Sequence, residues 1–348
     1  MSDISIRKEG RAGRITLTRP EALNALTLEM AAEVTAALDA WRDDDCVELV
    51  LMDAEGERAF CAGGDIAYIY RTSLTGDFAS GRRFFTVEYW MNATIARYPK
   101  PVVVLAQGFV LGGGVGLSGH ARHRVLGEST RVAMPECPIG LIPDVGGSLL
   151  LGLAPGRLGE YLGLSADRMD PGDALRAGFF DHFVPEADWP RLTAELVGSG
   201  DPGAIGAFAK PAPEPSLLPH FDTIEDAFSA PDLRTLAGRL EATDWGHEVL
   251  RRIRGSSPLS LACALELIRA ARAEPGIEAA LRREYRFTYR AGSRGEMIEG
   301  VRAAIIDKDR APVWRDSLGS LRAEEVSAML APLGAEELRL PEPDAMAG

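Results

Sequence analysis

The pattern of apolar and polar positions along the chain predicts short buried strands that alternate with amphipathic helices. Apolar residues recur on one face of a predicted helix over 28–42, and Thr27 can cap its first turn. The unbroken apolar runs 47–52 and 102–106 are typical of strands buried on both faces. A longer helix is predicted over 78–97. This alternation indicates right-handed crossovers and a largely parallel sheet, an α/β fold class.

After about residue 190 the pattern changes to helices, with an extended Pro-rich connector at 210–215. We therefore predict three regions: residues 1–200 as a core that carries the active site, 201–333 as a helical region, and a flexible Glu- and Pro-rich tail, 334–348.

Composition and charge narrow the function classes. The net charge of −13 disfavours a nucleic-acid partner, because phosphate binding needs a basic face. There is no apolar run of 18 residues, so a membrane span is not expected. Four widely spaced cysteines without a C-x-x-C pair predict reduced thiols. The N-terminal residues do not resemble a signal or transit peptide, and we expect a cytoplasmic protein.

The run GGGVGLSGH at 112–120 contains the letters G-x-G-x-x-G, which raise the possibility of a dinucleotide site. That fingerprint should follow its strand directly and open the first βαβ unit, whereas 107–111 intervene here and earlier strands precede it. A serine nucleophile, a histidine metal site and a reactive cysteine have equally weak support in the sequence. Ser118 lacks the full G-x-S-x-G context, His120 and His123 lack a third metal ligand, and Cys61 fits a buried packing thiol.

Three glycine-bearing segments taken together are more informative. They are 62–65 after a strand, 112–114 at a helix start, and 143–147 downstream of the acid Glu136. Two glycine turns can aim one backbone N–H each at a common point, and the second gains from the helix dipole. Two such donors on one oxygen form an oxyanion hole, the main device of acyl chemistry.

These segments resemble the crotonase (enoyl-CoA hydratase/isomerase) superfamily, and within it the branch of 3-hydroxyisobutyryl-CoA hydrolases. The resemblance rests on FCAGGDI, FFTVEYWMN, GGGVGLS and AMPECPIGLIPDVGG, and on a C-terminal signature around Glu299–Asp309. It spans about residues 5 to 320. It implies the ββα-spiral fold of that superfamily, an acyl-CoA substrate, no metal or redox cofactor, and assembly into trimer-based homo-oligomers.

The resemblance also implies roles for individual residues. The backbone N–H groups of Gly64 and Gly113 would hold the thioester oxygen, and Glu88 would contact the substrate. Hydratases carry one catalytic glutamate two residues after the glycine triplet, where this chain has Gly116; their second glutamate corresponds to Glu136.

An additional acid, Asp144, stands where hydratases carry glycine and matches the hydrolase branch. Thioester hydrolysis needs a polarised carbonyl and a carboxylate that attacks it or deprotonates water. Glu136 fits either role, and Asp144 would bind the substrate hydroxyl or position water. The expected reaction is hydrolysis of 3-hydroxyisobutyryl-CoA, as in valine catabolism. The alternatives are an enoyl-CoA isomerase or hydratase, and a non-catalytic acyl-CoA-binding protein.

Overall fold

The computed structural model of the protein describes residues 3–341, whose strands form two sheets. The strands are β1 (Ile4–Glu9), β2 (Ala12–Leu17), β3 (Leu49–Ala54), β4 (Ala59–Cys61), β5 (Val102–Ala106), β6 (Phe109–Leu111), β7 (His123–Leu126), β8 (Arg131–Ala133) and β9 (His182–Phe183).

The larger sheet has the order β1-β2-β3-β5-β7-β9, and the smaller one has the order β4-β6-β8. Strand β1 pairs with β2 in antiparallel orientation, and every other pair in both sheets is parallel. The prediction of a largely parallel sheet is confirmed. The smaller sheet was not anticipated, because three-residue strands leave too short a pattern to recognise.

Helices cover the sheets and form most of the chain after β9. In chain order they are α1 (Leu28–Trp41), α2 (Ile66–Leu74), α3 (Phe78–Ala96), α4 (Gly113–Ser118), α5 (Gly147–Leu153), α6 (Leu158–Ser165), α7 (Pro171–Arg176), α8 (Trp189–Ser199), α9 (Ile205–Phe208), α10 (Phe221–Phe228), α11 (Leu233–Leu240), α12 (Asp244–Arg254), α13 (Pro258–Ala273), α14 (Ile277–Ala291), α15 (Met297–Val301) and α16 (Ala323–Leu330).

The Thr27 side chain caps α1 as predicted, and the helices expected over 28–42 and 78–97 end within a residue of α1 and α3. Helix α3 packs against the main apolar core, and ten of its residues are buried. Polar residues on its buried face therefore lie inside the molecule. No helix within residues 3–341 is long and apolar enough to cross a bilayer.

The main apolar core is continuous from β1 to Leu340 and includes side chains from both of the regions predicted as 1–200 and 201–333. The division into these regions stays a prediction. Part of the predicted tail, 334–348, lies outside the described residues. In its described part Leu338 is buried. The Arg339 carbonyl accepts a hydrogen bond from Trp90, which lies on α3. The Pro341 carbonyl accepts one from Arg97, the residue that follows α3. The described part of the tail is therefore packed.

The smaller sheet determines where the glycine segments lie. Strands β4 and β6 are parallel neighbours, so their carboxyl ends meet at the same edge. Gly63 and Gly64 follow β4, whereas Gly112 and Gly113 follow β6. A Cβ placed on Gly112 would lie 3.8 Å from the Gly63 Cα, so the two turns touch.

Candidate active site

A cavity of about 330 Å³ lies where the two glycine turns meet. Its apolar wall includes Phe84, Phe85, Leu141, Val145 and Ile305. Its polar lining consists of the two glycine turns and three carboxyl groups, those of Glu88, Glu136 and Asp144. The cavity thus brings together every site residue that the sequence predicted.

The glycine turns present two free amides to this cavity. Gly63 and Gly112 have φ angles of +114° and +49°, a conformation that disfavours any residue with a Cβ. The N–H groups of the next residues, Gly64 and Gly113, have no acceptor within residues 3–341. A Cβ on Gly113 would lie 3.1 Å from the Gly64 nitrogen, so both donors serve one small volume. This arrangement matches an oxyanion hole.

Three carboxyl groups face these amides from different elements. Glu88 lies on α3, and Glu136 directly precedes a short 3-10 helix, Cys137–Ile139. Asp144 belongs to the loop before α5. Their residues are only 3%, 6% and 5% exposed. Glu88 Oε1 and Glu136 Oε2 have no hydrogen-bond partner within the described residues. Unpartnered buried carboxylates are costly, and they mark a site shaped for a ligand rather than for stability.

Burial controls the ionisation of this cluster. It raises the pKa of Glu136 well above its usual range, and the nearby charge of Asp144 adds to the effect. The pKa of Glu88 is raised for the same two reasons. Burial raises the pKa of Asp144 to about 6, against a hydrogen bond from Tyr89 that lowers it. Asp144 is therefore the carboxyl that ionises most readily.

The loop that carries Asp144 is held in a strained conformation. Val145, a β-branched residue, has a φ of +54°, and its carbonyl accepts a 2.7 Å hydrogen bond from His120 Nε2. Burial lowers the pKa of His120 to about 4, so the ring is neutral at physiological pH and donates from Nε2. Strain of this kind persists where the surroundings fix the backbone, commonly at functional sites.

Comparison with known proteins gives the same family as the motifs. A family model described as enoyl-CoA hydratase/isomerase matches residues 12–330. The chain belongs to this family. It is 34% identical over 353 residues to the mitochondrial 3-hydroxyisobutyryl-CoA hydrolase of Gallus gallus, covering 97% of this chain and 91% of the relative. It is 35% identical over 331 residues to 3-hydroxyisobutyryl-CoA hydrolase 1 of Arabidopsis thaliana, covering 90% of this chain and 87% of the relative.

Solved structures confirm the crotonase-type fold. A structure described as an enoyl-CoA hydratase from Rhodobacter sphaeroides 2.4.1 has a TM-score of 0.94 and 54% identity. The match covers 97% of this chain and 100% of that structure's chain. One described as a carnitinyl-CoA dehydratase from Mycobacterium thermoresistibile has a TM-score of 0.93 and 36% identity, with 97% and 99% covered. These descriptions name hydration and dehydration, whereas the sequence relatives are named as hydrolases. The residues of the site therefore have to distinguish between these reactions.

In this crotonase-family chain the position of the first hydratase glutamate is closed. A Cβ on Gly116 would lie 2.7 Å from Asn92 Nδ2 and 2.8 Å from the Val145 Cβ. Both distances are shorter than van der Waals contact allows. A glutamate therefore has no room here unless the neighbours move. Only the second hydratase carboxylate, Glu136, is left in the cavity.

Two functional residues were missed by the sequence reasoning. Tyr89, on α3, donates a 2.6 Å hydrogen bond to Asp144 Oδ2. Glu284, on α14, accepts from the amides of Gly146 and Ser148 at 2.8 and 3.0 Å and from the Ser148 hydroxyl. Its charge is among the causes that raise the pKa of Glu136. Glu284 thereby satisfies the N-terminus of α5 and fixes the loop that carries Asp144.

A signal for Glu284 was present in the sequence. It lies four residues before Thr288 and three after Leu281, on the buried face of α14. A charged residue on an apolar helical stripe indicates a buried carboxyl with dedicated partners. The signal for Tyr89 was weaker, because a tyrosine on an apolar face usually indicates packing alone.

The alternative chemistries find no support in the geometry. The Ser118 hydroxyl donates to the Gly114 carbonyl within its own helix, and burial raises the pKa of the Cys61 thiol to about 12. His120 donates its hydrogen bond to the Val145 carbonyl, in the loop before α5. No cluster of three or more metal-ligating side chains occurs within residues 3–341. Gly114 packs so tightly on the Cys61 carbonyl that a Cβ would overlap it. The glycines of the G-x-G-x-x-G run therefore serve close packing.

The C-terminal signature forms one edge of the cavity. Arg302 makes ion pairs with Glu299, Asp307 and Asp309, which fold the segment after α15 back on itself. Ile305, within the π-helical turn Arg302–Ile306, reaches the cavity lining. The motif thus fixes a turn whose apolar side chain borders the site.

Proposed function

We propose that this crotonase-family protein is an acyl-CoA thioester hydrolase that converts 3-hydroxyisobutyryl-CoA and water into 3-hydroxyisobutyrate and CoA. One observation carries the proposal: Glu136 and Asp144 share a buried cavity with the Gly64 and Gly113 amides. The hydrolase names of the sequence relatives support the same substrate.

The arrangement favours hydrolysis over hydration. Adding water across a double bond uses two carboxylates in this family, and one of their positions is Gly116 here, closed by Asn92 and Val145. Hydrolysis needs an activated carbonyl and one carboxylate that attacks it or activates water. The solved relatives are described as a hydratase and a dehydratase. In this chain the position of the first hydratase glutamate is Gly116, so the carboxylate pair of a hydratase is incomplete.

The residues act in a defined order. The amides of Gly64 and Gly113 receive the thioester oxygen and stabilise the negative charge that it gains. A Glu136 oxygen then forms a bond to the carbonyl carbon, or takes a proton from a water that forms that bond, and the C–S bond breaks to release the CoA thiolate. If Glu136 has attacked, water cleaves the resulting anhydride. In either route a proton from water ends on the CoA thiolate, and Glu136 returns to its ionised form. Glu136 must be ionised in either route.

Asp144 supplies the selectivity for a hydroxylated acyl group. Its Oδ2 is held by Tyr89, and its carboxyl lines the cavity beside Glu136. A buried acceptor that meets the 3-hydroxyl rejects an acyl group without it, because the acceptor would then stay desolvated and unpaired. A place for the reaction in valine catabolism follows from this substrate as part of the proposal. The cytoplasmic location and a trimer-based assembly stay predictions.

A panel of acyl-CoA thioesters tests this function. Release of free thiol and loss of enoyl absorbance are followed in parallel for 3-hydroxyisobutyryl-CoA, isobutyryl-CoA and crotonyl-CoA. We expect thiol from 3-hydroxyisobutyryl-CoA, at least about tenfold less from isobutyryl-CoA, and no hydration of crotonyl-CoA. An isomerase or hydratase would instead change the enoyl absorbance without thiol release. A non-catalytic binding protein would bind the thioesters and turn over none of them.

A further inference from the structure

We propose that Glu88 is held as a neutral carboxylic acid and donates a third hydrogen bond to the thioester oxygen, beside the amides of Gly64 and Gly113. The proposal rests on the hydrolase function and goes beyond it, because it assigns Glu88 a catalytic role and a protonation state rather than general contact with the substrate.

The position of Glu88 directs its carboxyl group at the oxyanion hole. A Cβ on Gly113 would lie 2.6 Å from Glu88 Oε1, and a Cβ on Gly64 would lie 3.9 Å from the same oxygen. Glu88 Oε1 thus lies beside both glycines, and a substrate oxygen bound at their amides would be within its hydrogen-bond reach. Oε1 is buried and has no partner within residues 3–341. An ionised oxygen here would repel the charge that the substrate oxygen gains, whereas a protonated one would stabilise it.

The charges around the cavity require at least one carboxyl to be neutral. Glu88, Glu136 and Asp144 all line it, and none of the described lining residues is a lysine, arginine or histidine. Like charges at short separation in a buried site do not all ionise at neutral pH. Some of the three carboxyls must therefore hold protons, and the hydrogen bonds decide which.

Glu88 is the carboxyl with no donor to stabilise a charge. Asp144 accepts from the Tyr89 hydroxyl, which lowers its pKa, and Glu136 accepts from its own backbone amide with the same effect. Both causes given for the pKa of Glu88, burial and the charge of Asp144, raise it. Glu136 must also ionise to attack or to accept a proton, so Glu88 is the group left to carry the proton.

No positive charge from the elements packed against α3 is among the causes that set the pKa of Glu88. Helix α1 buries only apolar residues, and α4 has no titratable residue. Helix α2 buries Ile69 and Ser73. Helix α14 buries Glu284 and Tyr285, and β4 adds the buried Cys61 thiol. Burial and the charge of Asp144 are the two causes that act on the pKa of Glu88, and both favour its neutral form.

No proton has to leave Glu88 during the reaction. Its O–H shortens its hydrogen bond to the oxygen as the carbon becomes tetrahedral, and the bond relaxes when the C–S bond breaks and the carbonyl reforms. Apolar surroundings that keep a carboxylic acid neutral so that it can donate to an oxyanion are an established device in enzymes.

The test compares Glu88→Gln, which keeps a donor without a titratable proton, with Glu88→Ala, which removes the donor. With 3-hydroxyisobutyryl-CoA we expect kcat to fall by less than about tenfold in Glu88→Gln and by about 10²–10³ in Glu88→Ala. In the wild type kcat falls as the pH rises through the pKa of Glu88, and this limb is absent in Glu88→Gln. Glu29→Gln, an exposed change on α1, is the matched control and keeps the wild-type profile.

Loss of activity in Glu88→Gln as deep as in Glu88→Ala overturns the proposal, and so does an alkaline limb that survives in Glu88→Gln. If Glu88→Ala does not fold, the pH profile of Glu88→Gln decides alone. An infrared difference spectrum of wild type minus Glu88→Gln at neutral pH gives a second readout, in which we expect the C=O band of a protonated carboxyl. Failure of the hydrolase function has a different signature: the wild type itself releases no thiol.

Discussion

The Tyr89 hydroxyl donates a 2.6 Å hydrogen bond to Asp144 Oδ2, and its oxygen lies 3.3 Å from Thr288 Oγ1. Both residues are buried, and Asp144 lines the cavity. The bond leaves the rest of the Asp144 carboxyl free to meet the substrate, and it lowers a pKa that burial alone would raise further. Asp144 therefore stays ionised over a wider pH range than its burial would permit.

Replacement of Tyr89 tests this relationship. Tyr89→Phe removes the hydroxyl that stabilises the ionised Asp144, so the pKa of Asp144 rises further above about 6. Activity that needs the Asp144 carboxylate is lost as the pH falls through this pKa, and the acid limb of kcat/KM moves to higher pH. We expect a loss of about tenfold near pH 6 and a smaller one near pH 8. A loss that is equal at all pH values would mean that Tyr89 acts through packing alone.

The oxyanion hole leaves no room for a methyl group at Gly113. In Gly113→Ala the Cβ would lie 2.6 Å from Glu88 Oε1 and 3.1 Å from the Gly64 nitrogen, within the volume meant for the thioester oxygen. We expect kcat to fall by about 10²–10³. Gly198→Ala on α8 is the matched control, because nothing lies within 4 Å of its Cβ. Activity of Gly113→Ala close to that of Gly198→Ala would place the thioester oxygen elsewhere.

The buried carboxyl groups also predict how stability depends on pH. Burial raises the pKa of Glu284 from 4.5 to about 8 in the folded protein. A raised carboxyl pKa contributes stability at pH values below the unfolded value, and this contribution is lost as the pH rises through the folded value. For Glu284 the window therefore runs from about pH 4.5 to about pH 8.

Urea unfolding across this window measures the effect. Glu284→Gln cannot ionise, so its free energy of unfolding should decline less between about pH 5 and pH 8 than that of the wild type, by on the order of 3 kcal/mol. Glu29→Gln, exposed on α1, should keep the wild-type slope. Parallel slopes in wild type and Glu284→Gln would contradict a protonated buried Glu284.

The closed position at Gly116 makes a stability prediction. Gly116→Ala would place a Cβ 2.7 Å from Asn92 Nδ2 and 2.8 Å from the Val145 Cβ, and we expect a loss of about 1–3 kcal/mol in the free energy of unfolding. Asn92→Ala in the same chain should recover part of that loss. Thermal or urea unfolding of the single and double variants measures it. A Gly116→Ala variant as stable as wild type would mean that a hydratase glutamate could be accommodated.

The sequence was sufficient to predict the site residues that lie within a recognisable motif. Gly64 and Gly113 were predictable because FCAGGDI and GGGVGLS resemble the paired oxyanion-hole segments of the crotonase superfamily. Glu136 and Asp144 were predictable because AMPECPIGLIPDVGG resembles the segment that carries this acid pair in the hydrolase branch. The parallel sheet followed from its apolar runs, which are long enough to show a period.

Other features depend on tertiary contacts that no local pattern records. Glu284 is 138 positions from Gly146 and 136 positions from Ser148 along the chain, yet it accepts hydrogen bonds from both. The closure of Gly116 depends on Asn92, whose amide looks like any helical asparagine in the sequence. Strand β6 was missed because its three residues sit between a longer strand and the glycine run, where they read as loop.

The most direct test of the hydrolase assignment is thiol release from 3-hydroxyisobutyryl-CoA by the wild type and by Glu136→Gln, with substrate binding and folding verified for both. We expect rapid release by the wild type and a drop of about 10³-fold or more in Glu136→Gln, because the amide neither attacks the carbonyl nor accepts a proton. Equal release by the two proteins would contradict it, as would crotonyl-CoA hydration by a wild type that releases no thiol.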